Sequence, residues 1–190
     1  MKRENILFVL IALIIGMLGG YLIFSIAGKK ETIPVGGGVP MGAGSPTDYQ
    51  KRITEAEKIV ARDPKNLQAW IQLGNDYYDT GQSQKAINAY GKALELKPND
   101  PNVLTDQGVM LKQMGAFDKA IANFERAQQI DPKHLQSLYN MGVVYAEDLK
   151  QPDKAIKAWS RYLEIDPTSP TAQQIKGMLE QLKSKSGASK

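Results

Sequence analysis

One spacing governs what this chain can fold into. Trp70, Leu104 and Leu138 stand 34 residues apart, and Leu73/Gln107/Met141, Gly74/Gly108/Gly142 and Tyr77/Leu111/Tyr145 keep the same step. Further along each unit the third copy slips by one, as in Ala86/Ala120/Ala155, Tyr90/Phe124/Trp159 and Pro98/Pro132/Pro167, so one extra residue has entered around Leu149–Asp153. A self-similar period of this length marks an array of helix pairs, because one pair cannot bury its apolar faces alone and must stack on its neighbours.

Within a unit the residues explain the pair. Trp70, Leu73, Gly74 and Tyr77 fall at i, i+3, i+4 and i+7, one stripe of a helix, and Ala86, Ala89, Tyr90 and Ala93 make the facing stripe. Gly74 is expected to let the backbone of the Ala86 helix approach, with Trp70 and Tyr90 filling the wider gaps. Gly81 and Gly115 suit the intervening turn, where a left-handed backbone is cheap for glycine. Pro98, Pro132 and Pro167 end each second helix by disfavouring helical geometry in the preceding residue.

The run WIQLGNDYYDTGQSQKAINAYGKALELKP, Trp70–Pro98, resembles the tetratricopeptide repeat, with W-x-x-L-G-x-x-Y, A-x-x-x-aromatic-x-x-A and the closing proline in place. The resemblance runs from Leu67 to about Ser169. It implies an all-α fold: a right-handed α-solenoid of three helix pairs with N- and C-terminal capping helices, preceded by one transmembrane helix. The expected divisions are a basic tail at 1–5, an anchor at 6–28, a Gly/Pro-rich linker at 29–47 and a capping helix at 48–66. Repeats then occupy 67–100, 101–134 and 135–169, followed by a capping helix at 170–184 and a tail at 185–190. In the last cap Ile175, Met178, Leu179 and Leu182 form the inward stripe, with Gln173, Lys176, Glu180 and Lys183 outside. Tyr162 departs from the small residue seen at Ala93 and Ala127, which should alter packing there.

In proteins of this kind the first helices line a concave surface. The implied groove residues are Gln68, Ile71, Gln72, Asn75, Tyr78 and Asp79 in the first unit, and Asn102, Thr105, Asp106, Val109, Lys112 and Gln113 in the second. Gln136, Tyr139, Asn140, Val143, Ala146 and Glu147 complete it. Amides there can donate to and accept from a peptide backbone, and Asp79, Asp106 and Glu147 against Lys112 favour a neutral or basic guest. Chaperone-binding relatives grip a terminal carboxylate with Lys, Arg and two Asn. The matching positions here are Ile71, Asn75, Asp106, Gln136 and Asn140, of which only Asn75 agrees.

Upstream, Asn5–Gly28 is uncharged and Ile6–Ile26 is long enough to span a bilayer. The rival is a cleaved signal peptide cut after Ser25-Ile26-Ala27. The length of the run and Lys29-Lys30 behind it favour an anchor. Flanking charges are nearly balanced, and the short basic head favours a repeat domain outside the cytoplasm, with a cytoplasm-facing domain as the alternative. Gly16 and Gly20 form a G-x-x-x-G pair, read either as a dimer contact or as ordinary membrane-helix glycines. Thr32–Thr47, with five glycines and three prolines, is expected to act as a disordered tether.

Beyond Glu31 the chain is close to neutral, which gives nucleic acid no footprint. No cysteine is present, and the single His134 lacks catalytic partners, so it should be solvated or locally bonded. Asp76, Asp79, Glu95 and Glu125 read as solvated acids. No catalytic, cofactor-binding or metal-binding constellation is recognisable, so the chain should not be an enzyme. The leading reading is a membrane-anchored scaffold holding a partner polypeptide during assembly of an envelope complex. Its layout is similar to the anchored repeat subunits of cytochrome c maturation (haem lyase) machinery. A self-associating membrane organiser is the alternative, and a co-chaperone stands further behind.

Overall fold

The computed structural model describes residues 46–187. The expected anchor, the Gly16/Gly20 pair and nearly all of the linker lie outside them. The described residues form eight α-helices and no strand: α1 Pro46–Arg62, α2 Leu67–Asp79, α3 Ser83–Leu96, α4 Pro101–Gln113, α5 Phe117–Ile130, α6 Leu135–Val143, α7 Pro152–Ile165 and α8 Pro170–Gly187. The first cap begins at Pro46 rather than residue 48, and the last runs three residues past 184. Each helix packs on its chain neighbours, and α4 and α6, the first helices of adjacent repeats, also touch.

A column of caps starts the first helices. Asn66 accepts the Ala69 amide at 3.0 Å, Asp100 the Asn102 and Val103 amides at 3.2 and 3.3 Å, and His134 the Ser137 amide at 3.3 Å. Ser169 does the same for Ala172 at 3.1 Å. Each satisfies a donor that has no partner within the helix. Pro101 and Pro152 sit in the first turn, where a missing N–H costs nothing.

The core follows the two stripes. Ala86, Tyr90, Ala120, Phe124, Ala155 and Trp159 are almost wholly buried, together with Leu73, Leu104 and Leu138. The glycine column does something other than expected. A Cβ on Gly74 would lie 2.5 Å from the Tyr90 ring and one on Gly108 2.5 Å from Phe124, while Gly142 faces the Trp159 indole. Glycine admits the aromatic ring of the second helix, not the Ala86 backbone. Trp70 is only half-buried, its Nε1 donating to the Pro64 carbonyl at 2.9 Å.

The extra residue of the third unit is absorbed in two places. Helix α6 widens into a π-helical turn at Val144–Asp148, with the Leu149 amide donating to the Val144 carbonyl at 2.9 Å. Lys150 then takes φ 54°, where Gly81 and Gly115 have φ 70° and 74°. Tyr162 is buried in the same core as Trp159, Ala172 and Ile175. In α8, Ala172, Ile175 and Leu179 are buried and Met178 and Leu182 partly so.

Candidate partner-binding groove

The surface built by α2, α4 and α6 carries the expected groove residues, with a graded burial. In α2, Gln68 and Asp79 are exposed, and Ile71, Gln72, Asn75 and Tyr78 are half-buried. Asn75 already accepts the Tyr90 hydroxyl at 2.9 Å, so this amide also serves the pair's interior. In α4, Asn102 and Gln113 are exposed and Asp106 and Lys112 half-buried. In α6 and its π turn, Gln136, Tyr139, Val143 and Ala146 are half-buried and Glu147 is exposed.

Three expected groove residues are not on the surface. Thr105 is 0%, Val109 8% and Asn140 4% exposed. Where α4 and α6 touch, side chains directed at the neighbouring repeat are covered rather than presented. Thr105 donates to the Pro101 carbonyl at 2.7 Å, and the Asn140 amide Nδ2 has no hydrogen-bond partner among the described residues.

His134 is locally bonded, as expected, but also joins two repeats. Its Nδ1 accepts the Ser137 amide, so Nε2 carries the proton and donates to Asn102 Oδ1 at 3.0 Å. Thr105 Oγ1 lies 3.4 Å from Nδ1, and Gln128 bridges the His134 carbonyl and the Ser137 hydroxyl at 2.7 and 2.6 Å. Burial lowers the imidazole pKa, against the raising influence of Asp131 and Asp100.

Asp76 corrects the sequence reading most. It is wholly buried and paired with Arg52 of α1, whose Nε donates at 3.0 Å and whose Nη2 also contacts the same oxygen. The guanidinium lies 4.5 Å over the Tyr49 ring, and its pKa is raised by the bond to Asp76. Glu95, Glu125 and Asp79 are exposed, as expected.

The electrostatics centre on Asp106. Burial, followed by the charges of Asp100 and Asp79, pushes its carboxyl up to about 7. Tyr78 is raised to about 12, by burial first and then by Asp106 and Asp79. Tyr139 is also raised, by burial, Glu147 and Tyr162. Lys112 on the same helix is directed to Asp148, 3.7 Å away. Among the described residues no group of three or more His, Asp or Glu is placed to hold a metal, and no helix is long and apolar enough to cross a membrane.

The repeated cap, glycine and aromatic geometry defines a tetratricopeptide-repeat domain, and residues 74–179 belong to that family. Residues 74–115 match the family model described as TPR repeat, and 111–179 that described as tetratricopeptide repeat. A relative in Mycosarcoma maydis, small glutamine-rich tetratricopeptide repeat-containing protein 2, is 30% identical over 72% of this chain and 36% of its own length. Protein O-mannosyl-transferase TMTC1 of Mus musculus is 35% identical over 46% of this chain and 10% of its own. Hsp70-Hsp90 organizing protein 2 of Arabidopsis thaliana is 25% identical over 63% and 22%. The chain thus spans about a third or less of these relatives. Crystalline MamA superposes with a TM-score of 0.67 at 25% identity, covering 73% of this chain and 80% of that one. Domains of this family mediate protein–protein contacts, and the fold is typically non-catalytic even where, as in the mannosyl-transferase, it accompanies an enzyme.

Proposed function

We propose that this chain is a membrane-anchored scaffold whose α2/α4/α6 groove holds a partner polypeptide while an extracytoplasmic complex assembles. The observation that carries this reading is the groove's mixed lining. Ile71, Tyr78, Tyr139 and Val143 offer half-buried apolar area beside Gln72 and Gln136, the combination that grips an extended backbone without reading its sequence. The apolar run at Ile6–Ile26 supports the anchor, and the layout of anchor, tether and short repeat array makes cytochrome c maturation the first pathway to examine. A grip on a C-terminal carboxylate is disfavoured, since Asp106 stands at a clamp position and would repel it.

Capture from native membranes tests the groove. The full chain should retain a polypeptide that the Gln72→Arg/Gln136→Arg variant loses, with the melting temperature unchanged because both positions are partly exposed. Equal retention by the variant would place binding elsewhere. Topology is read separately by fusing alkaline phosphatase after Lys190: activity supports an extracytoplasmic domain, and silence with an active cytoplasmic reporter reverses it.

A further inference from the structure

We propose that the groove between α2 and α4 receives a lysine or arginine side chain of the guest, seated against Asp106 and Asp79 beside the Tyr78 ring. This rests on the groove reading above and names the chemistry of its occupant. Asp106 is half-buried on the groove wall, and among the described residues no hydrogen bond or ion pair engages it. The cations nearby in the fold are committed: Lys112 reaches Asp148 at 3.7 Å, and Arg52 is held by Asp76 across the α1–α2 interface. Asp79 lies toward that interface, feeling Arg52 and bonded by Tyr49, yet also contributes to the repulsion at Asp106.

The arrangement is a carboxylate retained where burial and two neighbouring acids all oppose its charge. An external cation removes that opposition: it meets Asp106 directly and gains from a low-dielectric wall. Tyr78 between the acids presents an aromatic body against which an aliphatic stem or a cation can lie. An anionic guest at the same place would add a further like charge. The selection is therefore electrostatic, and it acts at one position along a groove that is otherwise tolerant of sequence.

The test uses the full chain in nonionic detergent and fluorescein-labelled peptides of equal length, alternating alanine with lysine, glutamine or glutamate. At low salt the alanine–lysine peptide is expected to bind about tenfold or more tightly than the alanine–glutamine peptide, with the advantage shrinking as salt screens it. Asp106→Asn, nearly the same shape, should bring the two within about twofold, with melting temperature confirming the fold. Equal binding of lysine and glutamine peptides by the native chain would overturn the inference and leave the groove reading standing. So would a lysine preference that survives Asp106→Asn, since the recognition would then lie elsewhere. Failure of every peptide to bind would count against the groove itself, and the inference would fall with it.

Discussion

At the scale of single residues, the spacing reported which positions matter but not always what they do. Gly74, Gly108 and Gly142 were legible as a column, yet their purpose, admitting Tyr90, Phe124 and Trp159, depends on the depth of the neighbouring ring. Gly108→Leu should therefore destabilise by about 3 kcal/mol or more, as the side chain meets Phe124 in a packed core; chemical denaturation measures it. Asp76 was not legible, because its partner Arg52 lies 24 residues upstream on a helix outside the matched motif. Arg52→Ala should cost about 3 kcal/mol by stranding a fully buried carboxylate. A loss below about 1 kcal/mol would show the pair to be as weak as a surface one. Asp106 works in the opposite sense. Its folded pKa of about 7 stands above the model value of 3.8, so its charge opposes folding increasingly from pH 4 to 7 and steadily above that. Asp106→Asn should raise the melting temperature more at pH 8 than at pH 4; an equal shift at both would remove titration as the cause.

Among the elements, the extra residue of the third repeat was visible in the register, whereas its form was not. A loop insertion could have lengthened the turn, but α6 instead opens into a π-helical turn and leaves Lys150 in the backbone region that glycine holds in the other two turns. A left-handed non-glycine residue costs about 1–2 kcal/mol, so Lys150→Gly should raise stability by up to that amount, read by thermal melting. The cap column was equally available at its 34-residue spacing, as Asn66, Asp100 and His134, but a histidine is not an obvious cap. Its role makes the joint between repeats two and three sensitive to acid. The imidazole's folded pKa is lowered, so its contribution is complete above the unfolded value near 6.5 and is lost as pH falls through the folded one. Protonating Nδ1 removes the acceptor for the Ser137 amide. His134→Asn keeps a cap oxygen without the titration, and its melting temperature should change less than the native chain's between pH 7.5 and 5.5. A parallel decline in both would assign the acid sensitivity to other groups.

For the whole molecule, the order of helices and the need for caps followed from the sequence because every packing partner is a chain neighbour. Groove burial did not follow, since Thr105, Val109 and Asn140 are covered by contacts between repeats. Ending the chain at Pro167 should lower the melting temperature sharply: it removes Ala172, Ile175 and Leu179, and each large buried side chain contributes about 1.5–3 kcal/mol. At the other boundary α1 turns Thr47, Gln50, Lys51, Thr54, Glu55 and Lys58 outward, a surface with nothing apolar to offer another helix. With both ends closed in this way and only adjacent helices in contact, length becomes a free variable of the design. Duplicating residues 101–134 in tandem would hand each joint to its own copy and leave both boundaries as they are. The enlarged chain should gain helical signal at 222 nm in proportion to one repeat without melting earlier. A guest would then find a longer berth with two acidic stations in place of one.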